Sequence, residues 1–122
     1  MPERIVPMIH VPDVASTAQW YASIGFTIRD TARECDKGEV NWAFLRLGES
    51  AIMLSAGGSP SDAPRREFDL YVYVDDIDAA RQRLDGKGDI VEDLHETFYG
   101  MREFITRDCN GFWITFGQPL EP

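Results

Sequence analysis

The chain contains an internal repeat, and this repeat constrains its fold more than any other feature of the sequence. Segment 11–14 (VPDV) recurs as segment 74–77 (VDDI), an offset of 63 residues counted from position 11 to position 74. The same offset carries Gly25 onto Gly88. Each copy reads as an apolar strand, a hydrophobic–x–Asp–hydrophobic step, a helix, a glycine and further strands. Because one helix covers only one face of a sheet, the pattern predicts two similar modules that bury their sheets by pairing.

In the first copy, positions 5–11 alternate between Ile, Pro, Ile, Val on one side and Val, Met, His on the other. This period of two predicts a strand. Either Asp13 or Ser16 is expected to cap the following helix, and Gly25 to end it.

In the second copy, Asp76 or Asp78 is expected to cap the helix, and Gly86 or Gly88 to end it. Asn110-Gly111 between alternating segments indicates a hairpin turn. Residues 57–66 are mostly small or turn-forming, which predicts a linker. The expected organisation is one domain over 1–122, with module one at 3–56 and module two at 67–118.

Composition excludes several classes of partner. The formal net charge of −9 argues against nucleic acid and anionic membranes, because an acidic surface repels phosphate. No apolar run is long enough to span a bilayer, so no membrane partner is expected. Cys35 and Cys109 lack the spacing of a disulfide framework, which predicts a cytoplasmic protein.

The repeated β-α-β-β-β order and four motifs resemble the vicinal oxygen chelate superfamily, which includes glyoxalase I, extradiol dioxygenases, and fosfomycin- and bleomycin-resistance proteins. The motifs are Pro7-x-x-x-Val11-x-Asp13 before Trp20-Tyr21-x-x-x-Gly25-Phe26, and Tyr99-Gly100-x-Arg102-Glu103 before Arg107-Asp108-x-Asn110-Gly111. The resemblance implies an α+β fold of two β-α-β-β-β modules, with a U-shaped mixed sheet around a ligand cleft and helices outside. It is strongest to the bleomycin-resistance-like, metal-free branch.

Metalloenzymes of that superfamily hold a divalent ion on the first and last strands of each module. The resemblance places those positions at Val6, Met53, Asp69 and Thr115. Valine cannot coordinate and methionine is a soft ligand, so we expect no metal and no other cofactor. A displaced metal site that includes His10 remains the alternative.

The alternation of the strands, combined with the resemblance, separates two sets of side chains. The helix-facing set is Ile9, Val11, Ile52, Leu54, Leu70, Val72, Val74, Phe112, Ile114 and Phe116. The predicted ligand-binding set is Met8, His10, Trp42, Met53, Asp69, Tyr71, Tyr73, Phe98, Glu103 and Trp113. Within it, His10 with Glu103 or Asp69 is a candidate proton-transfer pair. Glu103 could equally form a structural ion pair with Arg102.

The predicted function is binding of a small molecule, namely sequestration of a planar or cationic compound by aromatic side chains without a metal. Whether the protein is an enzyme stays open, and the missing metal ligands favour a binding role. The alternatives are a metal-dependent lyase, isomerase or dioxygenase of the same superfamily, and a metabolite-sensing or accessory module. A homodimer is expected in each case, with clefts inside one chain or between swapped modules.

Overall fold

The computed structural model describes residues 3–121 as two compact units that divide between Pro60 and Ser61. Each unit consists of one four-stranded mixed sheet and one helix, which gives the predicted α+β class. Neither helix within residues 3–121 is long and apolar enough to cross a membrane.

The first unit follows the predicted order of elements. Its elements are β1 (Met8–His10), α1 (Val14–Ser23), β2 (Thr27–Arg33), β3 (Val40–Leu47) and β4 (Ser50–Ser55). The sheet order is β1-β4-β3-β2, in which β1 pairs parallel with β4 and the other neighbours are antiparallel. The helix connects β1 to β2 at the opposite edge of the sheet, and two antiparallel turns then bring β4 back beside β1.

The second unit repeats this topology. Its elements are β5 (Asp69–Tyr73), α2 (Ile77–Arg83), β6 (Asp89–Glu96), β7 (Met101–Arg107) and β8 (Trp113–Pro119). The sheet order β5-β8-β7-β6, with β5 parallel to β8, matches that of the first unit. The repeat read from the sequence is therefore a repeat of structure.

Equivalent aspartates begin the two helices. Asp13 accepts a hydrogen bond from the backbone N–H of Ser16 at 3.0 Å, and Asp76 accepts one from Ala79 at 3.1 Å. The bond to Ser16 holds the pKa of Asp13 below its ordinary value. Gly25 follows α1 with φ of 115°, which a glycine adopts without the strain of a Cβ.

The predicted helix-facing side chains form the core of each unit. Ile9, Val11, Ile52, Leu54, Phe112, Ile114 and Phe116 are buried. In the second unit Phe116 stacks on Phe104 with ring centroids 5.0 Å apart. Burying a side chain of this size contributes about 1.5–3 kcal/mol. Leu70 and Val72 on β5, and Val74 directly after it, are only partly covered.

One local prediction was wrong. The first strand does not run over 5–11: it is limited to Met8–His10, and Ile5 is 93% exposed. The ladder to β4 has only three residue pairs, extended by bonds from Met53 to the Pro7 carbonyl and from Val11 to Ser55.

The predicted hairpin turn at Asn110-Gly111 is confirmed, since residues 108–112 join the antiparallel strands β7 and β8 and Gly111 has a positive φ. The carboxylate of Asp108 stabilises this turn by accepting hydrogen bonds from the backbone of Asn110 at 2.8 Å and Phe112 at 2.9 Å. Cys109 in this turn is exposed, as is Cys35 between β2 and β3.

Candidate ligand-binding site

The sheet of the second unit has one face against α2 and one face away from it. Asp69, Tyr71 and Tyr73 alternate along β5 with the partly covered Leu70 and Val72. The register places Tyr71 beside Thr115 and Tyr73 beside Gly117, and Glu103 beside Gly117 on the other side. These side chains therefore share the face away from α2, here called the open face of the second unit, as the alternation predicts.

Glu103 is the acidic residue of this face to which two tyrosines bond. Glu103 is only 3% exposed, so its carboxylate is removed from bulk water. The hydroxyl of Tyr71 donates to Oε2 at 2.6 Å. The hydroxyl of Tyr99 donates to Oε1 at 2.8 Å and to Oε2 at 2.9 Å. Both carboxylate oxygens thus have charge-assisted partners, which are the stronger kind of hydrogen bond.

The two phenols are held in their protonated form. Desolvation by burial, followed by the hydrogen bond to Glu103, raises the pKa of Tyr71 well above its ordinary value. For Tyr99 the hydrogen bond to Glu103 is the main cause of a raised pKa. Ionising either phenol would place a second negative charge against the carboxylate, so the hydroxyls remain neutral donors at physiological pH.

Aromatic rings surround this carboxylate and reach solvent. Tyr71 and Tyr73 lie with centroids 4.9 Å apart, and Phe98 meets Tyr99 edge to face at 5.1 Å. Tyr73 is 73% exposed and Phe98 is fully exposed. We call Tyr71, Tyr73, Tyr99 and Glu103 the tyrosine cluster. Phenol oxygens that donate inward keep lone pairs for an outside N–H group, and the rings offer faces to a flat or cationic ligand.

Arg102 and Glu103 do not form an ion pair, contrary to the alternative drawn from the sequence. Neighbouring residues on a strand point to opposite faces, and Arg102 lies on the helix side. There its guanidinium pairs with Asp78 at 3.2 Å. Glu103 is left to the tyrosines.

Trp113, at the other end of the open face, is covered by the chain itself. The guanidinium of Arg65 lies 4.3 Å from the centroid of the Trp113 ring. Arg65 also bonds to the carboxylate of Asp69 at 2.5 Å. The indole N–H of Trp113 donates to the carbonyl of Pro64 at 3.0 Å. Two predicted ligand-binding residues therefore already have a partner within the chain.

The first unit also has a sheet face away from its helix. The register pairs Met8 with Met53 and Met53 with Phe44, while His10 and Trp42 both pair with Ser55. Four predicted residues, Met8, His10, Trp42 and Met53, therefore share this face. The Nδ1 atom of His10 lies 3.3 Å from the carbonyl of Ala56, a main-chain contact. A proton-transfer pair between His10 and Glu103 or Asp69 stays a prediction, because these residues belong to different units.

The fold and these faces can be compared with known proteins. A family profile described as Glyoxalase/Bleomycin resistance protein/Dioxygenase superfamily matches residues 5–116. The chain belongs to this superfamily. The match covers both copies of the repeat.

Several solved structures have the same fold. TioX from Micromonospora sp. ML1 is 22% identical with a TM-score of 0.78, over 98% of this chain and 100% of that one. A bleomycin-binding protein complexed with bleomycin is 18% identical with a TM-score of 0.72, over 96% and 98%. A glyoxalase-related enzyme from Clostridium phytofermentans is 19% identical with a TM-score of 0.72, over 98% and 97%. At these identities the likeness establishes the fold and not the ligand. A search of curated proteins gave no match.

Members of the superfamily that use a divalent ion need oxygen or nitrogen donors, and the residues at those positions here do not fit one. Val6 has no donor atom, and Met53 offers a thioether suited to softer metals. Asp69 is engaged by Arg65, and Thr115 is buried with only a hydroxyl to offer. Within residues 3–121, neither unit gathers three His, Cys, Asp or Glu side chains in a metal-binding group.

A depression of about 390 Å³ lies between the start of α2 and the end of β8. Asp75, Asp76, Asp78, Arg102 and Gln118 are among its lining residues. Several of these side chains already stabilise the fold: Asp76 caps α2, and Gln118 accepts a hydrogen bond from the Ile77 backbone at 2.9 Å. The tyrosine cluster is therefore the better candidate site.

Three residues that shape these faces were not predicted from the sequence. Gly117 lies beneath Tyr71, Arg65 covers Trp113, and Phe44 lies beside Met53. Strand alternation could have found Phe44, two residues after Trp42, and Gly117, two after Thr115. No pattern places Arg65, because it lies in a segment that forms no strand or helix.

Proposed function

We propose that this protein binds a small planar cationic molecule on the open face of the second unit, without a metal ion. The observation that carries the proposal is the tyrosine cluster, in which a buried carboxylate is bonded by two tyrosine hydroxyls beneath solvent-exposed rings. The bleomycin-binding protein of the same fold gives a precedent for small-molecule binding.

The ligand meets the tyrosine oxygens rather than the carboxylate itself. Glu103 is buried and both of its oxygens already accept hydrogen bonds, so the outward lone pairs of Tyr71 and Tyr99 are the acceptors that face a ligand. The negative charge behind them makes these acceptors stronger, because hydrogen bonds in a chain polarise one another. Stacking of a cation on an aromatic ring adds about 0.5–2 kcal/mol per ring.

Binding without reaction suits these groups better than acid–base catalysis. An efficient general acid or base has a pKa near the working pH. The pKa values of Tyr71 and Tyr99 are instead raised above the ordinary value of 10.0, which keeps both phenols protonated. The site can therefore hold a ligand with fixed donors and acceptors and leave it chemically unchanged, as sequestration requires.

The test compares two ligands that differ in charge and hardly in shape. 9-Aminoacridine is cationic at neutral pH and acridine is neutral, so calorimetric titration of both isolates the charge. We expect tighter binding of 9-aminoacridine by the wild type and a loss of at least about tenfold in Tyr71→Ala, equivalent to 1.4 kcal/mol. Phe68→Leu, which removes an aromatic ring that stacks on Phe112, is the matched control and should bind normally.

Equal affinity for acridine and 9-aminoacridine would overturn the charge recognition. Unchanged binding in Tyr71→Ala and Tyr99→Ala would remove the tyrosine cluster from the site. Elemental analysis after incubation with Zn²⁺, Ni²⁺, Mn²⁺ and Fe²⁺ tests the metal-free part of the proposal. One ion retained per chain would favour the metal-dependent lyase, isomerase or dioxygenase instead, with His10 as the first suspected ligand.

The proposal includes a homodimer in the cytoplasm. Exposed aromatic side chains such as Tyr73 and Phe98 give a second copy an apolar surface to cover. Light scattering coupled to size-exclusion chromatography measures the mass directly, and a mass near the 13.8 kDa of a single chain at micromolar concentration would exclude the dimer. The cytoplasmic location rests on cysteine spacing that fits no disulfide framework.

A further inference from the structure

Asp69 and Trp113 place a carboxylate beside an indole ring in the second unit. They are direct neighbours in the parallel register of β5 and β8, and both lie on the open face of the second unit. A carboxylate beside the face of an indole is a combination that attracts guanidinium and amidinium groups, by charge, by bidentate hydrogen bonds and by stacking. The two side chains are therefore close enough together, and of the right chemical type, to contact one such group at the same time.

This site is filled by a side chain of the protein. The Arg65 guanidinium bonds to Asp69 at 2.5 Å and lies 4.3 Å from the Trp113 centroid. The occupant shows directly which ligand chemistry the site accepts, namely a planar, positively charged group with N–H donors. Arg107 lies farther from the ring, at 6.0 Å, and its charge is balanced by Asp89 at 2.9 Å.

The wall of the site stays in place without Arg65. The indole N–H of Trp113 donates to the Pro64 carbonyl, and the Nε of Arg107 donates to the same carbonyl at 3.1 Å. These two bonds fix the Trp113 ring and the backbone beside it. Removal of the Arg65 side chain therefore uncovers a preformed surface, which lowers the cost of binding a replacement.

Arg65 is held weakly enough to leave. Its side chain is 58% exposed, and that of Asp69 is 29% exposed. Ion pairs in contact with water contribute about 0–1 kcal/mol, so an outside cation can compete. We propose that Arg65 is an internal occupant of a second ligand site, formed by Asp69 and Trp113, which takes amidinium or guanidinium groups when Arg65 swings away. This inference stands independently of ligand binding at the tyrosine cluster.

The experiment titrates benzamidine, an amidinium cation at neutral pH, into ¹⁵N-labelled protein and follows the indole N–H signal of Trp113. Trp113→Phe identifies that signal among the three tryptophans. If Arg65 fills the site roughly nine-tenths of the time, Arg65→Ala should bind benzamidinium about tenfold more tightly than the wild type. Adding Asp69→Asn to Arg65→Ala should reverse the gain.

Two controls separate this inference from simpler effects. Benzamide has the shape of benzamidinium without its charge, and should move the Trp113 signal little in either protein. Arg83→Ala removes the same charge from the exposed surface of α2 and should leave the affinity at the wild-type value. Arg65→Gln is the second variant, because it keeps a polar side chain over the ring and removes only the cation.

A gain in affinity for benzamidinium in both Arg65 variants supports the inference. No gain in either variant, with the remaining spectrum unchanged, overturns it. Equal binding of benzamide and benzamidinium also overturns it, because stacking alone would then explain the contact. Binding of 9-aminoacridine is read from different variants, so failure of that proposal leaves these outcomes intact.

Discussion

The ring of Tyr71 lies directly over the backbone of Gly117. A Cβ built at Gly117 would lie 2.8 Å from Cζ of Tyr71, closer still to its hydroxyl oxygen, and 3.1 Å from the end of Met101. Contacts under about 3 Å force atoms to move. The glycine therefore provides the space that lets Tyr71 cross β8 and reach Glu103 on β7.

Gly117→Ala should displace Tyr71 and break its hydrogen bond to Glu103. We expect a loss of about 1–3 kcal/mol in the free energy of unfolding, typical of overpacking, together with weaker 9-aminoacridine binding. Urea unfolding and calorimetry measure the two effects. In a Tyr71→Ala background the same substitution should cost much less, because the two residues touch. Equal costs in both backgrounds would show that Tyr71 is not what Gly117 accommodates.

Tyr71→Phe should destabilise the protein by leaving one oxygen of Glu103 with fewer donors in a buried position. Losing a hydrogen bond to a buried charged group costs about 1–3 kcal/mol, and urea unfolding measures the change. Tyr73→Phe is the matched control, because that ring is 73% exposed. A similar loss in Tyr73→Phe would show that the effect is general to the face rather than specific to Glu103.

Stability should fall as the pH rises above 10.0, the ordinary pKa of tyrosine. The pKa values of Tyr71 and Tyr99 are raised in the folded state, so above that pH the folded chain binds more protons than the unfolded chain. Their contribution is complete below pH 10 and is lost progressively toward the folded-state pKa. Unfolding free energies measured across this range should decline less steeply in Tyr71→Phe, whereas an identical slope would contradict the assigned cause.

Val6→His combined with Met53→Glu should give the first unit two of the ligands that the superfamily places there. We expect the affinity for Zn²⁺ and Ni²⁺ to rise over the wild type, because imidazole and carboxylate replace a side chain without a donor and a thioether. Competition with a coloured chelator measures the change. Unaltered metal uptake in a folded double variant would mean that positions 6 and 53 are not the ligand positions of this chain.

The sequence predicts the fold well because interactions between residues close in sequence determine the helices and strands of each repeat. Asp13 and Asp76 cap helices through their own side chains, and alternation along β4 separates Ile52 and Leu54 from Met53. These signals depend on residues close in sequence, so they can be read without the tertiary structure. The same alternation correctly places Tyr71 and Tyr73 on the open face of the second unit.

The site was predictable only in part, because its hydrogen bonds join residues distant in sequence. Tyr71 and Glu103 are separated by 32 positions, and Trp113 and Pro64 by 49. Arg65 was assigned to a linker because its neighbours are small, and the attraction to Trp113 leaves no local pattern. The turn at 108–111 was predictable from Asn110-Gly111, whereas the hydrogen bonds that its backbone makes to the Asp108 carboxylate were not.

The two exposed cysteines allow a distance between the two units to be measured in the native sequence. Cys35 belongs to the first unit and Cys109 to the second, so thiol labelling of the native sequence puts one probe on each half of the duplication. Spin labels at these positions report one distance, free of any engineered substitution. A change in that distance on adding 9-aminoacridine or benzamidine would register ligand-driven movement between the halves of the chain.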